Sequence, residues 1–357
     1  MLQEKKRIDS LQTLRAIGFL EIFLGHSGVS FFTGAFGVSM FVVLSGFCVA
    51  INYLPKIEKQ DVSVLGNAKF AVSKIKKLYA LHLIMLFLKF LFSNMPHSRN
   101  AIKRLLMNVF LVQCWSPYIE SFFSYNGVAW YLSTYLFLCF MAPWMIRAIS
   151  KIKKKKCAAV LAFSIYAVMN LIGIWVSKRP LAFGDSFAYW VTYILPFYRM
   201  LDFTLGALLG WFYLNGSGQK AWKKSTATIL ELLTVVAFIV VVKIFHRIEG
   251  VYNGICYNVL FVPVSLWLVV IFVKSKGLLM KVLDCPLFRW VGNLSSYTFL
   301  IHQVVIHRMM AVLNGRFEGK LYRLLLVVSS FVISMAAAQL TAMIVSFKKQ
   351  RKITAAA

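Results

Sequence analysis

Three ionisable residues stand inside the first apolar segment, LRAIGFLEIFLGHSG: Arg15, Glu21 and His26. Such side chains are costly in hydrocarbon and mark substrate paths, proton relays or reaction sites. Arg15 and His26 are eleven positions apart. On a helix that is three turns plus about 20°, so both lie on one face, about 16 Å apart along the axis. Glu21 falls roughly 240° from Arg15 and points elsewhere. A neutral imidazole is a natural general base near pH 7. Each residue also has a plainer reading: Arg15 as a snorkelling anchor, His26 as a helix-to-helix hydrogen-bonding residue, and Glu21 as a partner for a basic residue elsewhere.

A second polar set lies near the other end of the chain. Ser295, Thr298 and His302 follow i, i+3, i+7 spacing and share one helical face. His302 is expected about as deep in its segment as His26. This face suits a reaction site or a polar contact between membrane helices. His82, His97, His246 and His307 fall towards segment ends or in loops, where solvated or interfacial roles are expected. The six cysteines form no CxxC pair and no Cys/His cluster of metal-ligand spacing, and read as small hydrophobes. No metal site is expected.

The elements that position these residues follow from composition. Of 357 residues, 60% are hydrophobic and 15% charged, against about a quarter charged in an ordinary soluble chain, and the mean hydropathy is +0.72. Apolar runs of about 20 residues, enough to cross a bilayer, recur along the chain. The fold class is therefore all-α, a polytopic integral membrane protein of about ten transmembrane helices. Spans are predicted at 12–30, 36–54, 76–94, 127–148, 157–176, 200–215, 226–245, 254–273, 292–313 and 322–346. Segments 104–116 and 187–198 are too short or too broken to span and are expected to be interfacial or re-entrant. The net charge of +28 does not imply nucleic acid, because the basic residues sit in short loops. With both termini cytoplasmic, the inner loops and span ends hold more than twice the basic residues of the outer ones, as the positive-inside bias requires. No cleavable signal peptide is expected. One domain is expected over 1–357, with a core of about 9–346 and a short basic cytoplasmic tail at 347–357.

The first segment also carries a resemblance. LRAIGFLEIFLGH fits the Arg-x10-His signature of membrane acyltransferase-3 proteins, the O-acyltransferases of bacterial surface polysaccharides. GVSMFVVLSGF (37–47) is similar to that family's Gly-Val-x-x-Phe-Phe-x-Leu-Ser-Gly-Phe stretch, with Ser39 where an acid is frequent. SKIKKLYALH (73–82) follows, with Lys74 and Lys77 at an Arg-x-x-Arg pair. Then come AWYLST (129–134), RMLDFTLGALLG (199–210) and GNLSSYTFLIH (292–302), in family order over nearly the whole chain. Tyr135 replaces a carboxylate, and Asp202 is shorter than the common Glu.

The resemblance implies a membrane enzyme of the bacterial plasma membrane, an acyltransferase moving groups other than aminoacyl. It would carry an acyl group, usually acetyl, from acyl-CoA to a hydroxyl of a cell-surface or lipid-linked carbohydrate. Acyl-CoA would be a co-substrate rather than a tightly bound cofactor. The partners would be the lipid bilayer, the glycan acceptor and glycan-assembly proteins. His26 would be base or acyl carrier and Arg15 would position the donor. Lys74, Lys77 and Trp130 would bind the donor. Ser45, Ser133, Arg199, Asp202, Ser295, Tyr297, His302 and Glu21 are further candidates. The alternative is a non-catalytic transporter or sensor on the same fold. Inverted repeats, which mark many transporters, are not evident in the two halves.

Overall fold

The computed structural model describes residues 8–91, 99–178, 186–216, 221–249 and 253–354, and these form helices and turns with no strand among them. The chain runs through α1 (Ser10–His26), α2 (Ala35–Tyr53), α3 (Val64–Leu91), α4 (Arg99–Val109), α5 (Ile119–Phe122), α6 (Trp130–Ser150) and α7 (Lys155–Ser177). It continues through α8 (Phe187–Tyr189), α9 (Pro196–Asn215), α10 (Lys224–Ile248), α11 (Asn253–Cys256), α12 (Val262–Lys274), α13 (Leu278–Leu283), α14 (Pro286–Leu313) and α15 (Gly319–Thr354).

Among the described residues, five helical stretches are long and apolar enough to cross a bilayer: Ala35–Lys59, Gly127–Ser150, Lys155–Ser177, Lys224–Ile248 and Gly319–Phe347. The helices that fall short of that standard include α1, α3, α9 and α14. They are the ones carrying Arg15, Glu21 and His26, the lysines, Arg199 with Asp202, and His302. α2 is the centre of the bundle, with 78% of its apolar window buried, whereas α7 has 17% and α10 22% and present apolar faces outward.

Small residues set the central crossings. A Cβ on Gly46 of α2 would lie 2.0 Å from the Phe203 carbonyl oxygen of α9, and one on Gly206 would lie 2.0 Å from that of Val43. Gly206 and Gly210 form a small-xxx-small stripe that lets two backbones meet. Pro196 and Pro286 occupy the first turns of α9 and α14, where a missing N–H costs nothing.

Several expected boundaries change. α3 begins at Val64, so Lys74 and Lys77 stand on a helix of 28 residues rather than at a loop's edge; 92–94 of that expected span, and His97, lie outside the described residues. Segment 104–116 holds the C-terminal half of the 11-residue helix α4 and a 3-10 turn at Gln113–Trp115, too short to cross. The expected span 254–273 is broken into α11 and α12, with buried Asn258 in the break. The expected tail continues α15 as helix to Thr354.

Candidate functional site

α1 and α14 run parallel in close contact, because Gly292 lets α14 approach: a Cβ there would lie 1.8 Å from the Gln12 carbonyl oxygen. Below that contact, Thr13 Oγ1 donates to Asp284 Oδ1 at 2.9 Å. Arg289 holds the same carboxylate through Nε and Nη2, both at 2.7 Å. These bonds keep the Asp284 carboxyl below the usual carboxylate range, Arg289 contributing most. They also fix the register of the two helices at the end away from His26.

At the other end that register brings two imidazoles together. His26 Nδ1 and His302 Nε2 are 2.8 Å apart, and the rings stack at 5.1 Å between centroids and 7° between planes. The hydrogen bonds define the tautomers. His302 Nδ1 lies 2.7 Å from the Phe299 carbonyl and 3.2 Å from that of Thr298, so it carries the proton. His302 Nε2 is then an acceptor, and His26 Nδ1 must donate to it. The remaining nitrogen, His26 Nε2, keeps its lone pair. His302 is wholly buried, edged by Phe19 and Phe23, while His26 is exposed to a cavity.

That cavity holds about 290 Å³, and its walls include His26, Trp130, Tyr189, Tyr193, Gln303 and His307. Gln303 Oε1 accepts from the Val128 backbone N–H at 3.1 Å, and Asn126 Nδ2 donates to the Leu300 carbonyl at 2.9 Å. Both bonds seat the 126–128 turn on α14. His307 Nδ1 accepts from Lys89 at 2.6 Å. The turn at Trp190–Ile194 that carries Tyr193 is tied to α6 by Thr134 Oγ1, 3.0 Å from the Ile194 carbonyl. Tyr125, which also lines this cavity, has φ 57, a left-handed conformation uncommon outside glycine.

A second cavity, about 280 Å³, is lined by Arg15, Ser45, Lys74, Lys77, Tyr131 and Tyr135, with Ser295 and Tyr297 on its α14 wall. Lys74 Nζ donates to the Tyr53 hydroxyl at 2.7 Å and lies 4.8 Å from the Phe70 ring centroid. Arg15 Nη1 makes a long 3.4 Å bond to Gln12 Oε1. Among the described residues, three cations and no carboxylate line this space. That charge balance suits an anionic group such as a phosphate.

The predicted site residues therefore divide. Arg15 and His26 share a helix face but line separate cavities. Trp130, expected beside Lys74 and Lys77, instead lines the His26 cavity; its neighbour Tyr131 lines the cationic one. Ser133 reaches neither: it is buried, bonds the Leu111 carbonyl and lies 2.7 Å from Cys114 Sγ. Arg199 and Asp202 form a wholly buried pair at 3.1 Å, beneath Tyr193 at 5.6 Å from its ring centroid. Ser39, on α2, bonds Asn258 at 3.0 Å. His82, expected near a segment end, is wholly buried in α3 and bonds the Asn108 carbonyl at 3.0 Å. His307, expected in a solvated or interfacial role, lines the His26 cavity; Gln303, Tyr193 and Phe299 were not foreseen, and only their polar or aromatic character in apolar segments could have marked them.

Glu21 has a structural task. It is 4% exposed, and its Oε1 accepts from Thr33 N at 3.1 Å, Thr33 Oγ1 at 3.2 Å and Gly34 N at 2.9 Å. Its Oε2 accepts from Gly37 N at 2.8 Å. A carboxylate of α1 thus caps the N-terminus of α2, where free N–H groups and the helix dipole favour negative charge. Gly34, at φ 73, turns the chain into that cap.

Comparison with known proteins places the chain in a family. The acyltransferase MdmB of Streptomyces mycarofaciens is 26% identical over 249 residues, 63% of this chain. The chain thus spans 62% of that relative's length. No solved structure gives a significant match. A family model described as an acyltransferase domain matches residues 8–343. With that match over nearly its whole length, the chain belongs to the acyltransferase-3 family.

Proposed function

We propose that this protein moves an acyl group from acyl-CoA to a hydroxyl, with His26 as the base. The observation that carries the reading is the His26–His302 pair, which leaves the His26 Nε2 lone pair facing a cavity. The acceptor hydroxyl sits in the His26 cavity and gives its proton to Nε2 as its oxygen attacks the thioester carbon. The tetrahedral intermediate collapses by breaking the C–S bond, and the leaving thiolate takes the proton back from the imidazolium. His302 shares the transient charge through the Nδ1–Nε2 bond. Gln303, whose Oε1 is engaged by Val128, turns its amide N–H groups to the intermediate's oxyanion.

The donor's phosphates rest on Arg15, Lys74 and Lys77, and its acyl arm points along α14 towards Phe299. The aromatic walls and hydroxyls of the other cavity suit a hydroxylated ring, and we assign the acceptor to cell-surface or lipid-linked carbohydrate. The family resemblance and the loop charge bias support a ten-span topology with both termini in the cytoplasm of a bacterial plasma membrane. The donor then enters from inside and the acceptor from outside.

Membranes containing the protein, incubated with labelled acetyl-CoA, test the reading, together with mass spectrometry of surface glycans from cells with and without it. Label is expected to pass to a glycan. Arg15→Ala should raise KM for acetyl-CoA about tenfold with a smaller effect on kcat. Glycans unchanged by loss of the protein, with no acceptor-dependent release of coenzyme A, would overturn the assignment.

A further inference from the structure

Between the two cavities stands one side chain. Among the described residues lining them, Phe299 is the only one common to both. It is 7% exposed. Its ring lies 5.4 Å from Tyr131 and 6.5 Å from Phe41, both on the cationic side, and 5.8 Å from His302 behind the His26 side. Its carbonyl oxygen accepts the His302 Nδ1 proton at 2.7 Å, so its backbone is held while its side chain spans the gap. Tyr131 and Trp130 are adjacent in sequence yet face opposite cavities, so the start of α6 completes the same wall.

We propose that the Phe299 ring is a movable partition between the donor and acceptor cavities. It swings aside for the acyl arm and otherwise keeps water in the His26 cavity away from the donor thioester. The inference rests on the acyl-transfer reading for its purpose, but the partition itself is a statement about access and can be tested without any reaction. A thioester is open to hydrolysis, and a site that excludes water suppresses that side reaction. Rotation of one aromatic side chain about χ1 is enough to open the wall, with no movement of the backbone that sets the His302 tautomer.

Ser45 lines the cationic cavity at the middle of α2. Ser45→Cys, reconstituted in vesicles, would be treated with a small charged methanethiosulfonate from one face or the other, with modification read at residue 45 by peptide mass spectrometry. With Phe299 present, labelling from the His26 face should be at least tenfold slower than from the Arg15 face. In Phe299→Ala the two rates should converge, and in Phe299→Trp the His26-face rate should stay low. Phe299→Leu, which keeps an apolar filler but lacks the ring, gives a second opening should the alanine variant fail to fold. Unchanged His26-face labelling in the leucine and alanine variants overturns the partition. In parallel, release of coenzyme A from acetyl-CoA without acceptor should rise about tenfold in Phe299→Ala. If neither the variants nor the intact protein releases coenzyme A even with acceptor present, the acyl-transfer reading fails while the labelling rates still decide the partition.

Discussion

At the scale of single residues, the account turns on which nitrogen of which histidine carries a proton. His302 is a positioning residue in it. Its Nδ1–H is fixed on the Phe299 carbonyl, and its Nε2 orients His26. His302→Ala should lower kcat about a hundredfold with little change in KM for acyl-CoA, since neither substrate touches it. His302→Gln, whose amide oxygen can accept from His26 Nδ1, should restore part of that loss. Equal losses in the two variants, or a loss confined to KM, would contradict the positioning role. The spacing of Arg15 and His26 was readable from sequence because helical periodicity fixes faces within one segment. The His26–His302 contact was not, because it joins positions 276 apart and depends on how α1 and α14 cross.

At the scale of elements, buried carboxylates act as caps on neighbouring helices. Glu21 of α1 caps α2, and Glu231 of α10 accepts from Gly277 N at 3.0 Å and Leu279 N at 2.8 Å at the start of α13. In sequence Glu21 read as an unexplained charge in an apolar run, because its partners come from a turn whose path one segment does not reveal. Glu21→Ala strands the N–H groups of Thr33, Gly34 and Gly37 and should cost about 2–4 kcal/mol. Thermal unfolding in detergent would show this as a clear drop in Tm, and an unchanged Tm would remove the cap from the account. The Thr13–Asp284–Arg289 cluster sets the α1–α14 register at the opposite end. Asp284 is partly exposed, so its bonds contribute only about 1 kcal/mol. Because its native pKa is depressed, that contribution is present above its unfolded value, near 3.8, and is lost as pH falls through the lower native value. Asp284→Asn should therefore be less stable than the parent at neutral pH, and the gap should narrow at acid pH, below 3.8. A gap of equal size at both pH values would contradict the linkage.

At the scale of the whole molecule, the bundle separates its two kinds of surface. α2 and its glycine-lined crossing with α9 form a dense centre, and α7 and α10 turn apolar faces outward. Hydropathy and charge bias made the helical membrane class legible. The break at Asn258 and the early start of α3 were not, since apolar composition persists through both. The ordered motifs pointed to the right family but suggested a single site. The folded chain instead places Arg15, Lys74 and Lys77 on one cavity and His26 and Trp130 on another, with Phe299 of α14 lining both. On the proposed mechanism the transferred group must pass Phe299 to reach His26. The most direct measurement is the rate of acyl transfer by purified protein with His26 replaced by Ala or Gln, after size-exclusion and Tm data show that both variants fold. The account predicts a fall of at least a hundredfold in kcat, with KM for acyl-CoA unchanged because the donor's phosphates lie in the other cavity. Transfer at the parent's rate in a folded His26→Ala protein would contradict it.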